Sequence, residues 1–120
     1  MDEFVAVSRN DDITDIVFYI ENEEIMEIGD KLNEINEEAY MNGENWSILL
    51  EAWLTENEPD LLEGLDPDPE AGMYAAYYHD TSDETLKKAE RFAAVIKDFV
   101  SDPEKLYDFV RENGEDIEWD

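Results

Sequence analysis

Asp66, Asp68 and Glu70 alternate with Pro67 and Pro69 in the manner of an opening calcium loop. Carboxylate oxygens on alternate residues are what a hard divalent cation seeks. A loop of the EF-hand type also needs glycine at its sixth position and glutamate at its twelfth. Counting from Asp66, those places hold Ala71 and Tyr77. The two prolines further oppose the required curvature, so the stretch is not read as a metal site. His79, the only histidine, stands beside Asp80 and has the chemistry of a general base. No Gly-x-Ser-x-Gly turn, cysteine or second histidine supplies a nucleophile or a metal partner. It reads as a surface or half-buried imidazole. Paired carboxylates for glycoside chemistry are not singled out among 35 acids. The expectation is therefore no enzyme, no catalytic residue, no metal and no cofactor.

What so many acids can do instead is bind. Against 35 Asp and Glu stand 8 Lys and Arg, a net charge of −27 in 120 residues. Self-repulsion on this scale costs stability and calls for a cause. Three causes fit: a strongly basic partner, imitation of a nucleic-acid backbone, or adaptation to high salt. Direct nucleic-acid binding is not expected. Lys87, Lys88, Arg91 and Lys97 hold half the positive charge, too little to face a polyanion from a chain at −27. They read as partners for acids on neighbouring elements. Hydrophobic residues still make up 42% and aromatics 12% of the chain, enough to bury a core rather than remain disordered. With no cysteine, disulfide staples are unavailable to it. Neither a signal peptide nor a membrane-length apolar run is evident, so a cytoplasmic location and no membrane partner are expected.

The elements that position these residues follow from periodicity. Phe4–Val7 and Ile13–Ile20 are β-rich runs joined by the turn residues Asn10, Asp11 and Asp12, a hairpin pattern. From Glu21 to Met41 the period changes to that of an amphipathic helix. Ile25, Ile28, Leu32, Ile35 and Ala39 form its apolar stripe, and Asn42-Gly43 is read as its stop. The other faces carry Glu23, Glu27, Asp30 and Glu34 against a single Lys31. Asn45 is read as the cap of a second helix, with Trp46, Leu49, Leu50, Trp53 and Leu54 packed in the core. Pro59 ends that helix, and residues 66–70 are read as a proline-stiffened loop. A third strand spans Met73–His79. Capping boxes at Thr81–Glu84 and Ser101–Glu104 open two further helices, the second ending at Asn113-Gly114. Ile117-Glu118-Trp119 allows a last short strand. The order β-β-α-α-β-α-α predicts one α+β domain over residues 1–120: a small, mainly antiparallel sheet packed against four amphipathic helices.

Asn42-Gly43-Glu44-Asn45-Trp46, followed by Leu49-Leu50-Glu51-Ala52-Trp53-Leu54, resembles the Imm51 family of bacterial immunity proteins. Asp68-Pro69-Glu70-Ala71-Gly72-Met73-Tyr74 is similar to the same family, as is the pattern from Asp102-Pro103-Glu104-Lys105-Leu106 to Ile117-Glu118-Trp119. The resemblance implies a cytoplasmic antidote that binds and blocks a polymorphic or contact-dependent toxin. Many such toxins are nucleases with basic substrate clefts, which the charge argument matches independently. An acidic inhibitor associates with a basic cleft at about 10⁸–10⁹ M⁻¹s⁻¹ at low salt. The expected partner is a cognate basic toxin domain, occluded at its active site. The candidate contact residues are Glu23, Glu27, Asp30 and Glu34, with Asp66, Asp68 and Glu70 as a second acidic surface. A DNA mimic aimed at a host DNA-binding protein is the alternative, followed by a halophilic domain.

Overall fold

Asn10 turns the chain on itself: its N–H donates to Ile13 O at 2.9 Å and its side chain accepts from Ile13 N at 3.3 Å. The strands on either side, β1 (Val5–Arg9) and β2 (Thr14–Tyr19), pair antiparallel, with Val5 opposite Phe18. The computed structural model describes residues 4–70 and 72–117. After the hairpin come α1 (Glu23–Ile35), α2 (Gly43–Asn57), β3 (Leu65–Pro67), β4 (Met73–Tyr78), α3 (Asp83–Ser101) and α4 (Glu104–Asn113). Short 3₁₀ turns occupy Pro59–Leu62 and Gly114–Asp116. The strands form one antiparallel sheet in the order β1-β2-β4-β3. The α+β class and the order of helices and main strands are those the sequence predicts.

Register divides the sheet into two faces. Val5, Phe18 and Tyr74 lie in one row, and Val7, Ile16 and Ala76 in the next along the same face. This face meets the helices and joins a single apolar core. Phe18 packs edge-on against Trp46 at 5.0 Å between centroids, and Tyr74 lies 6.0 Å from Phe92. Ala6, Val17 and Ala75 occupy the opposite face with Asp15, Tyr77 and Asp66; Ala75 is buried there, and none of them joins the cluster under the helices. Of the predicted core, Trp46, Leu49, Ile28, Leu32, Phe92 and Ile96 are buried, whereas Ile35 and Trp53 are half-buried at its margin. Trp53 stands edge-on to Phe99 there, at 4.9 Å.

Several local expectations are corrected. The first helix ends at Ile35, six residues before Met41, because Asn36 turns extended and its side chain accepts from Glu38 N at 3.0 Å. Such a bond offers the backbone an alternative to the helix. Asn42, not Asn45, caps α2: its side chain accepts from Asn45 N at 2.8 Å, and Gly43 begins the helix instead of ending the previous one. Ser82, not Thr81, caps α3. No side-chain bond caps α4, and Asp102 instead closes α3, its N–H donating to Asp98 O at 2.8 Å. Gly114 continues from α4 into a 3₁₀ turn in right-handed conformation. The loop at 66–70 contributes β3, since an edge strand tolerates Pro67 where a central one would lose a ladder bond. Of the possible last strand, Ile117 is buried, and Glu118 and Trp119 lie outside the described residues.

Candidate partner-binding surface

Glu23, Glu27, Asp30 and Glu34 recur at spacings of four and three, which puts them on one face of α1. That face lies opposite Ile25, Ile28 and Leu32, which are buried, so the core itself aims the acids outward. All four are exposed. Among the described residues, their carboxylates meet no hydrogen-bond donor or cation. The ion pairs lie elsewhere: Arg9–Asp83 at 3.0 Å, Arg91–Asp60 at 2.8 Å, Lys105–Asp98 at 2.6 Å and Arg111–Asp108 at 2.8 Å. Arg91 also reaches Glu58 at 2.9 Å. Its hydrogen bond to Asp60 holds that carboxyl below the usual Asp range. Lys88 donates to Glu63 O at 2.9 Å and sits 5.0 Å from the Tyr78 ring centroid. Arg91 and Lys88 thus find acceptors on neighbouring elements. On one flank of the acidic face, Glu34 shares a shallow cleft with Lys31, Tyr107 and Arg111. Burial raises the Tyr107 phenol pKa, and the charges of Glu104 and Glu27 add to it.

The second acidic surface is tied into the fold. Asp66 pairs with the exposed His79 at 2.9 Å, and Asp68 accepts from Tyr77 Oη at 3.2 Å. Partial burial raises the Tyr77 phenol, followed by that bond and the charges of Asp68, Asp15 and Glu70. Glu70 exchanges backbone bonds with Met73 at 2.7 and 3.4 Å. The Asp66 and Asp68 carboxylates thus tie β3 to β4, whereas Glu70 takes part through its backbone and leaves its carboxylate exposed, on elements separate from α1. No three or more His, Asp or Glu among the described residues come together so as to hold a metal ion. No described helix is long and apolar enough to cross a membrane.

The two sequence motifs around Gly43 and Glu70 meet in space. A Cβ on Gly43 would stand 1.6 Å from Glu70 O and 2.5 Å from Met73 O, so only glycine lets α2 begin against this turn. The family model Imm51, immunity protein 51, matches residues 4–115. The chain belongs to the Imm51 family. No curated protein sequence and no solved structure matches it.

The Imm51 chain also displays residues that sequence reasoning passed over. Met26 and Tyr40 are 57% and 74% exposed, large apolar side chains beside the acidic face. Both line one cleft with Asp30. Met26 carried a signal, since it falls beside rather than within the Ile25–Ile28–Leu32 stripe. Tyr40 carries none, because a helix continued to Met41 gives no reason to single it out.

Proposed function

We propose that this Imm51 chain protects its host by binding, without catalysis, a toxin domain that presents a basic surface. A nuclease with a cationic substrate cleft is the toxin class that fits, and occlusion of that cleft is the mode of inhibition. The observation that carries this reading is the outward face of α1: Glu23, Glu27, Asp30 and Glu34 are exposed and form no ion pair among the described residues, with only Lys31 and Arg111 at one flank, while the observed ion pairs gather on other elements. Carboxylates left without internal cations keep their field for an external one, which steers encounter and rejects acidic partners. Asp66, Asp68 and Glu70 add to the same field, but Asp66 and Asp68 are engaged by His79 and Tyr77, so this surface ranks second. The site of action is the cytoplasm.

The test is association with the cognate toxin domain, sought first in the reading frame adjacent to this chain's gene. Reversing Glu27 and Asp30 to Lys should slow association by at least about tenfold at low salt, flatten its salt dependence and abolish protection, with the fold intact. Association as fast as wild type would show that α1 is not the recognition face. Equal loss after the same reversal at Asp66 and Asp68 would assign recognition to the acidic field as a whole.

A further inference from the structure

Between α1 and the turn that follows it lies a cleft of about 120 Å³, walled by Met26, Gly29, Asp30, Tyr40 and Met41 and reaching the buried Trp46. Its construction is specific. Ala39 and Met41 are buried on either side of Tyr40, which is 74% exposed. Asn33 Nδ2 donates to Ala39 O at 3.0 Å, and Asn45 Oδ1 accepts from Met41 N at 3.0 Å. The backbone is therefore pinned immediately before and after an aromatic ring that faces solvent. Met41 adopts φ 54°, a left-handed conformation uncommon outside glycine. Such strain persists only where the surroundings impose it, and it gathers at ligand clamps. Gly29 leaves room for this turn, because a Cβ there would lie 3.1 Å from Met41 Cβ.

The cleft is far below the roughly 300 Å³ at which pockets for drug-sized ligands begin, and it suits the end of one side chain. A second copy of this chain is a poor occupant, since each carries −27. We propose that the cleft is the anchor pocket for one arginine side chain of the toxin. The guanidinium lies against the Tyr40 ring and pairs with Asp30, and its methylene stem covers Met26. Arginine combines a flat cation that stacks on aromatic rings with a fork that matches a carboxylate, whereas lysine is a compact, strongly hydrated charge. The backbone under the ring is already held by the bonds to Ala39 O and Met41 N, so binding has only the side chain itself to order. The inference rests on the toxin-binding reading above and gives it a point of contact.

Two measurements separate the two ideas. In the first, N-acetyl-arginine amide is titrated into the isotope-labelled chain and followed by NMR, with the neutral N-acetyl-citrulline amide as control. Saturable shifts should centre on Met26, Asp30, Tyr40 and Met41 with the arginine probe alone, and Tyr40→Ala should abolish them. Shifts spread over all acidic positions, or centred on Val17, Tyr19 and Tyr77 of the sheet's open face, would overturn the proposal, as would no shift. In the second, Tyr40→Ala should weaken the complex with the cognate toxin by at least about tenfold through faster dissociation, leaving the salt dependence of association unchanged. Unchanged dissociation would overturn the anchor. If wild type does not bind that toxin at all, the toxin-binding reading fails, and the pocket's preference for arginine is decided by the titration.

Discussion

Glycines that look alike in the sequence do different work in the structure. At Gly43 the constraint is space: the missing Cβ would overlap the carbonyl oxygens of Glu70 and Met73, which are backbone and anchored in the β4 turn. At Gly64 the constraint is conformation, since φ is 76° and nothing lies within 4 Å of the missing Cβ. Gly64→Ala should therefore cost only about 1 kcal/mol, the ordinary penalty of a left-handed alanine. Gly43→Ala must push α2 off the turn and should cost about 3 kcal/mol or more, at the upper end for overpacking. Urea denaturation of both variants checks the ranking. Equal losses would mean that α2 moves away at little cost and that the close approach does not set the fold.

The start of α3 is organised locally by an acid and joined to β2 through that residue's main chain. Asp80 accepts from Ser82 Oγ at 2.6 Å and from Thr85 Oγ1, while its own carbonyl accepts from Thr14 Oγ1 of β2 at 2.8 Å. The bonds from Ser82 first and Thr85 second hold the Asp80 pKa below its usual value. A carboxyl depressed on folding stabilises the native state at pH above its unfolded pKa of about 3.9, and that contribution fades as pH falls through the lower folded value. Asp80→Ala should accordingly lower Tm at pH 7, and the gap to wild type should narrow on titrating below about pH 3. Thermal melts at both pH values decide it. A gap that persists in acid would show that Asp80 matters through packing and not through its charge.

At the scale of the molecule, the chain carries 35 acids, and its body has principal extents of 41 × 27 × 24 Å, with most of those acids among the described residues. The screening length is about 30 Å at 0.01 M salt and about 3 Å at 1 M, so dilute buffer leaves repulsion acting across most of the protein. Added sodium chloride should raise Tm over this range, by about 4 °C for each kcal/mol of repulsion relieved. The apolar core predicts a chain already folded at the low end. Unfolding in dilute buffer would instead favour adaptation to high salt as the origin of the acidity. A flat Tm would mean that the charge carries no cost in stability and needs no partner to explain it.

Fold class and surface character are both legible in the order of residues. Hydrophobic period tells strand from helix, and the Ile25–Ile28–Leu32 stripe fixes which side of α1 faces water, so its acidic face was legible without coordinates. The Gly43 and Glu70 motifs carried the Imm51 resemblance that the family match bears out. Boundaries were less legible, because they turn on single side-chain bonds such as Asn36 to Glu38 N and Asn42 to Asn45 N. Tertiary structure alone decided which acids are spoken for. Asp66 and Asp68 find His79 and Tyr77 only because β3 adds to the sheet edge, and spacing along the chain does not encode that pairing. It alone also set Tyr40 on a pinned, strained turn beside Asp30, since burial of Ala39 and Met41 against distant residues turns the residue between them outward.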